Sequence, residues 1–328
     1  MTIYIGRRQL IVTLGGGAAA WPLAARAQQA KKIPRIGVLL FGTPDTDPNL
    51  GAFLRGLRDL GYIEAQNIVF EYRYAEGKPE RLRGLAGELV ATKPDLIFAL
   101  GGDVAPSARV ATNTIPIVVA VSNDPVQAGL VASLARPGGN ITGVTFVSSD
   151  LAAKRLQFLR EIAPNLARVA VIWNPDHVDP EYRETQTAAK TLGIQIQSLE
   201  VRGLEDFDAA FQAATEARTQ ALIPITSRLM LTNRSRIIEF SIQRQLLLAS
   251  GFGPWAKEGA LLSYGPDTDA STRRAAAYVD KILRGTRPDE LPVEQPTKFQ
   301  LVINGKTAKS LGLNIPSTLL ATADQVIE

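Results

Sequence analysis

Few residues in this chain are of a type that performs covalent chemistry. The 328 residues contain no cysteine and one histidine, His177. That excludes thiolate nucleophiles, disulfides, zinc–thiolate sites and multi-histidine metal sites, and it removes most histidine-based triads. No G-x-S-x-G elbow and no G-x-x-x-x-G-K-[ST] phosphate loop is present. "GFGPWA" (251–256) fits G-x-G-x-x-A, but it lies outside a first βαβ unit and contains Pro254, so it is not read as a dinucleotide fingerprint. His177 falls in "NPDHVDP", among acids and turn formers, and reads as a surface-loop histidine rather than a base or a metal ligand. No cofactor and no metal are expected.

The polar residues that remain cluster in one kind of place, directly after short apolar runs. Gly42, Thr43, Pro44 and Asp45 follow the run 35–41. Gly101, Gly102 and Asp103 follow 96–100, and Ser122, Asn123 and Asp124 follow 115–121. Later come Asn174-Pro175-Asp176, Thr226-Ser227-Arg228 and Gly251-Phe252-Gly253. Hydroxyls, amides, a few acids and an occasional aromatic ring hold a small solute by hydrogen bonds and stacking. The candidate ligand-binding residues are therefore Thr43, Gly102, Asp103, Ser122, Asp124, Phe146, Asn174, Thr226, Ser227, Phe252 and Tyr264. The same residue types also cap helices and form turns. Asp124 before Pro125 looks like an N-cap with proline at the first helical position, and Pro137-Gly138-Gly139-Asn140 reads as a turn. Arg228 is read either as a carboxylate clamp or as a solvated helix-start cation.

The elements that must position these residues are legible as a repeat. "RIGVLLF" (35–41) is continuously apolar, like a strand buried on both faces of a parallel sheet. Leu50, Phe53, Leu54, Leu57 and Leu60 then recur at helical spacing. Strands are expected at 67–76, 95–100 and 115–121, with helices between them and a helical segment after Asp124. The order recurs about 130 residues later: "ARVAVIWNP" (167–175), a helix, "QIQSLEV", a helix, "ALIPIT" (221–226), "LLLAS" (246–250) and "GALLSYG" (259–265). The duplication predicts an α/β fold of two Rossmann-like lobes with parallel sheets. A helix over 269–285, a proline-rich connection and the strand and helix of "KFQLVINGKTAKSLGLNIP" belong to neither copy and are expected to tie the lobes together.

The first 27 residues read as an export signal, with adjacent Arg7 and Arg8, a weakly apolar stretch from Leu10 to about Leu23 and an Ala25-Arg26-Ala27 cleavage site. The arginine pair followed by Gln9-Leu10-Ile11 resembles a twin-arginine signal, although Gly6 and Leu10 depart from the usual pattern. That segment holds Arg7, Arg8 and Arg26 and no acid, so its removal leaves 33 basic against 32 acidic residues, a net charge of about +1 rather than +4. No clustered basic face supports nucleic-acid binding.

"RIGVLLFG", "FLRGLRDLGYIEAQNIVFEYRYAEG", "KPDLIFALG", "SNDPVQAGLVASLARPGGNITGV", "RVAVIWNP" and "GALLSYGPD" together resemble the substrate-binding proteins of bacterial ABC importers, in the TrpX-like branch that includes tryptophan-binding members. Residues 122–144 are the most specific part. The resemblance covers nearly the whole mature chain and implies type I periplasmic binding protein architecture, with two lobes joined by a three-crossover hinge and a ligand held in the cleft by hinge closure. It implies lobe one at 33–147 plus 268–288 and lobe two at 148–267 plus 289–328. It further implies a periplasmic monomer with a small-molecule solute and an inner-membrane ABC permease as partners. Gly101-Gly102-Asp103 stands where family members often have a Thr-x-Ala-like turn, so tryptophan is not carried over as the ligand, and Asp103 is available to a ligand ammonium. Two other readings remain beside import. One is an exported module that presents a solute to a receptor or kinase. The other is an exported enzyme, which would depend on carboxylates such as Asp103 and Asp124.

Overall fold

A computed structural model describes residues 32–45, 47–146 and 149–328. The export segment expected at 1–27 lies outside the described residues.

The first five strands are short; all but the second are buried at nearly every position, as their largely apolar sequences require, whereas the second, VFEYRY, is only half-buried at the sheet edge. They are β1 (Arg35–Leu40), β2 (Val69–Tyr74), β3 (Leu96–Leu100), β4 (Ile117–Val121) and β5 (Ile141–Thr145). They form one parallel sheet in the order β2-β1-β3-β4-β5, with Ile36 opposite Leu96 and Ile97 opposite Ile117. Helices α1 (Pro48–Asp59), α2 (Leu82–Ala91) and α3 (Ala105–Ala111) connect them. The segment after Asp124 is a multiple turn rather than the expected helix. The Pro125 carbonyl accepts from both Leu130 and Val131, and Gly129 takes φ +65°, which reverses the chain before a second turn can form.

The second sheet repeats the first. Helix α4 (Ser149–Ile162) leads into β6 (Arg168–Trp173), α5 (Glu181–Leu192), β7 (Gln195–Glu200), α6 (Asp206–Glu216) and β8 (Ala221–Pro224). Then come α7 (Arg228–Thr232), α8 (Arg234–Gln243), β9 (Leu247–Ser250), α9 (Pro254–Glu258) and β10 (Leu262–Pro266). The order β7-β6-β8-β9-β10 is that of the first sheet, strand for strand. The duplication in the sequence is therefore a duplication of topology.

The chain beyond β10 connects the two sheets. Helix α10 (Thr268–Leu283) returns to the first sheet and packs on α1, β4 and β5. Its Ala275, Ala276, Tyr278 and Val279 join Leu50, Phe53 and Leu57 of α1 over Ile36, Val38 and Phe98. The rings of Phe53 and Phe98 stack 3.7 Å apart. Burying side chains of this size stabilises by about 1.5–3 kcal/mol each. The two helices touch closely at Gly56, where a Cβ would fall 2.8 Å from the Arg273 carbonyl oxygen. The chain then runs along β5, where Leu291 accepts from Thr142 Oγ1 and the Glu294 backbone exchanges hydrogen bonds with Gly143 and Thr145. Farther on, β11 (Phe299–Asn304) pairs antiparallel with β10, and β12 (Gln325–Ile327) pairs with β11 at the edge. Residues 291–304 thus run from the edge of the first sheet into β11 of the second. Helices α11 (Gly305–Ser310) and α12 (Ser317–Thr322) lie between these last strands.

Candidate functional site

In open α/β sheets of this strand order, the loops after β1 and β3 diverge to opposite faces and leave a crevice beyond the strand ends. The equivalent loops of the second sheet follow β6 and β8. Side chains from all four loops meet in this protein.

Asp47, in the loop after β1, caps α1 by accepting from the backbone N–H of Asn49 at 3.0 Å. Its carboxylate also receives Arg228 Nη1, from the start of α7, which donates to both oxygens at 3.0 Å and to Asn49 Oδ1 at 3.1 Å. Both side chains are buried, Asp47 at 0% and Arg228 at 4% exposure. Asp103, after β3, accepts from the Arg228 backbone N–H at 3.0 Å and pairs closely with His177 Nδ1, from the loop after β6. Gly101 makes room for this contact. Its φ of +124° is open to glycine alone, and a Cβ there would fall 2.5 Å from Arg228 Cγ. Gly102 is equally close packed, since its Cβ would lie 2.6 Å from His177 Cε1.

His177 is therefore buried, not a surface-loop residue. Burial by itself would lower its proton affinity. Asp103, and then Asp179 and Glu181, outweigh that and hold it above the ordinary 6.5. Asp103 is the mirror case: burial would raise it, but His177 and the Arg228 N–H hold it below 3.8. Asp179 is pushed up to about 7, by burial first and by Glu181 second. On its far side, His177 Nε2 lies 3.4 Å from Ser122 Oγ, after β4. Ser122, His177 and Asp103 thus stand in hydroxyl–imidazole–carboxylate order. The three side chains form a hydrogen-bonded contact between the lobes. Among the described residues, no group of three or more acids and histidines fits a metal ion.

A second buried pair lies within the second lobe. Arg155 of α4 is fully buried and pairs closely with Glu181 Oε1, and its Nη1 donates to the Tyr264 carbonyl at 2.9 Å. Glu181 Oε2 accepts from the Thr226 backbone N–H at 3.0 Å. Three buried polar atoms in these loops and on α4 have no partner: Asn123 Oδ1, Thr226 Oγ1 and Arg155 Nε. An unsatisfied buried group costs about 1–3 kcal/mol.

The candidates read from the sequence separate into groups. Gly102, Asp103 and Ser122 are at the contact between lobes, and Thr226 stands beside Glu181. Thr43 lies in the loop after β1, where its carbonyl accepts from the Asp47 N–H. Asp124, Asn174 and Ser227 each accept from backbone N–H groups of their own turns, Ser227 as the N-cap of α7. Phe146 packs in the first core, Phe252 lies 5.9 Å from Trp255, and Tyr264 meets Phe158 edge-on. Arg228, open between two readings from sequence, clamps a carboxylate, and the carboxylate belongs to the protein itself. Asp47, Asn49, Arg155, Asp179 and Glu181 are not among the sequence candidates. Arg155 does carry a signal, because it falls in line with Leu151, Ala152, Leu156 and Leu159 on the buried stripe of α4.

Residues 36–327 match the family model for ABC transporter substrate-binding proteins. A curated relative, the tyrosine-binding protein of Clostridioides difficile (strain R20291), is 25% identical over 288 residues, covering 87% of this chain and 82% of that protein. A conserved domain protein from Vibrio cholerae O1 biovar El Tor superposes with a TM-score of 0.83 at 29% identity, over 90% of this chain and 100% of that one. A Streptococcus pneumoniae ABC domain solved with L-Trp gives 0.82 at 23% identity, over 90% and 99%. The fold is that of the type I periplasmic binding proteins.

Proposed function

Because the chain belongs to the ABC transporter substrate-binding protein family, we infer that it is the exported, periplasmic solute-binding component of an ABC importer. It captures a small amino-acid-like or aromatic solute between its lobes and hands it to a membrane permease. The observation that carries this reading is the set of buried polar contacts spanning the strand ends of two duplicated lobes, with unpartnered polar atoms beside them. Such a cleft gains stability when a solute supplies the missing partners, and ligand affinity for the closed arrangement is what shifts the population toward it. The names of the tyrosine-binding relative and the L-Trp complex support an amino acid as the ligand class. The lobes in this reading are 33–147 plus 268–288 and 148–267 plus 289–328. Gly102, Asp103, Ser122 and Thr226 are the ligand-cleft residues that retain the strongest case.

The test is a thermal-shift screen of the chain against the common amino acids, aromatic acids and small amides. A ligand that binds only the native state stabilises by about 2.7 kcal/mol at a hundred times its Kd. A selective rise in Tm with one amino-acid class supports the reading. A flat response to every amino acid and aromatic solute removes it.

A further inference from the structure

The second lobe reaches the contact between lobes through two segments, 177–181 after β6 and 226–228 after β8. From the first segment, His177 faces Asp103 and Ser122. From the second, Arg228 gives its backbone N–H to Asp103 and its guanidinium to Asp47. Asp103 takes one partner from each segment, so the two segments must arrive together.

One buried side chain holds both. Glu181 opens α5, four positions after His177, and its own N–H donates to Asp179 Oδ1 at 2.6 Å, closing the turn between them. Its Oε2 accepts from the Thr226 N–H at 3.0 Å, two positions before Arg228. Its Oε1 pairs closely with Arg155 Nη2. Arg155 is anchored away from the contact. It stands on α4, and its Nη1 donates to the Tyr264 carbonyl of β10 at 2.9 Å. Three positions on, the Phe158 ring meets the Tyr264 ring edge-on at 5.2 Å. Gly251, after β9, leaves the space this needs, since a Cβ there would fall 3.0 Å from Arg155 Nη1 and 2.6 Å from Thr226 Oγ1.

Stability is a poor account of this pair. Both side chains are almost wholly buried, at 0% and 4% exposure. A buried ion pair gains little over apolar side chains of the same volume. Arg155 Nε and Thr226 Oγ1 are moreover buried without partners, a penalty that apolar residues avoid. What the pair supplies that apolar residues lack is direction, because a planar guanidinium fixes both the carboxylate and the carbonyl it meets.

We propose that Arg155 is a positioning residue for lobe closure: through Glu181 it sets the segments 177–181 and 226–228 relative to each other, so that His177 and Arg228 meet Asp103 and Asp47 together. This rests on the solute-binding reading above and adds to it a residue whose hydrogen bonds lie within the second lobe.

The test is a double-mutant cycle on the Tm of the full chain, joined to isothermal titration calorimetry with L-tyrosine as the probe. Arg155→Met alone leaves Glu181 buried and unpaired, so it is combined with Glu181→Gln. The combination removes both charges with little change in volume and keeps an oxygen for the Thr226 N–H. Asp47→Asn then reports on the contact between lobes. In wild type it should lower Tm by about 2–4 °C or more. In the charge-free background it should lower Tm by less than about half as much, because Arg228 no longer arrives at Asp47. L-tyrosine affinity should fall about tenfold in the charge-free variant. A merely structural pair gives an equal Asp47→Asn shift in both backgrounds, and that additivity overturns the proposal. So does a charge-free variant that fails to fold, which assigns the pair to folding itself. So does wild-type affinity for L-tyrosine in a charge-free variant, which separates the pair from closure. If wild type binds no amino acid, the solute reading falls, and the Tm cycle still decides the role of Arg155.

Discussion

Arg228 Nη1 stands 3.0 Å from each carboxylate oxygen of Asp47, although the two residues come from different lobes and are 181 positions apart. Neither group touches water appreciably. A charge so placed is tolerable only while its partner is present. The pair therefore couples the contact between lobes to the state of two side chains.

Asp47→Asn removes the counter-charge with little change in shape. Leaving Arg228 buried and unpaired costs about 3–5 kcal/mol, which opening of the cleft relieves by rehydrating the guanidinium. Small-angle X-ray scattering should show a larger radius of gyration than wild type, and amino-acid affinity should fall with the population of the closed form. An unchanged radius together with unchanged affinity would contradict the role given to this pair.

The Asp103–His177 pair sets a pH dependence. His177 is held above 6.5, so its contribution is complete below that value and is lost as pH rises through the raised one. Asp103 is held below 3.8, so its contribution is complete above that value and is lost as pH falls through the lowered one. The contact is thus strongest from mildly acidic pH to near neutrality. A Tm series taken upward from pH 6.5 should decline in wild type and decline less steeply in His177→Gln, where the loss through Asp179 remains. Parallel curves would refute the assignment.

Asp179 acts in the same direction by a different route. Its carboxyl is raised from 3.8 to about 7 by burial and by Glu181, so ionising it on the rise through that range destabilises the native state. Asp179→Asn keeps an oxygen for the Glu181 N–H, now 2.6 Å away, and removes the charge. The variant should be more stable than wild type at neutral and alkaline pH, by up to a few kcal/mol. It should not differ below pH 3.8. Equal stability at alkaline pH would show that solvent reaches the group.

Gly102→Ala places a methyl group where His177 Cε1 and the Asn123 amide already stand. It should push His177 away from Asp103 and lower ligand affinity about tenfold or more, since the loss of the charged hydrogen bond alone is worth about 1.5–3 kcal/mol. Lobe folding should be retained, with unchanged far-ultraviolet circular dichroism. Wild-type affinity in this variant would show that the loop yields without disturbing the pair.

Most of the fold can be read from the chain because its determinants are local and repeated. "LIFAL" and "IVVAV" are apolar at every position, and they become β3 and β4, buried at every position. The second copy repeats the run of elements, so the common strand order follows from a single duplication. The site is less legible because its burial comes from elsewhere. His177 has Asp176, Val178 and Asp179 beside it and reads as exposed, yet Asp103, 74 positions away, covers it. Asp47 shows its capping role in "DPNL", but its second role depends on residue 228. A short stretch shows what a side chain can do for its own turn, not which distant cation arrives there. The turn after Asp124 differs from the expected helix for a local reason, since Pro125 opens a helix as readily as a turn and Gly129 decides between them.

Helix α10 gives this architecture a history as well as a shape. The strands of the first sheet are complete at Thr145, but one of their faces is covered by residues 268–283. During synthesis, Leu50, Phe53 and Leu57 must wait for strands β6 to β10 of the second sheet to be made before Ala276 and Val279 arrive. The second sheet waits in turn for β11. Neither half can finish while the ribosome is still at work on the middle of the chain.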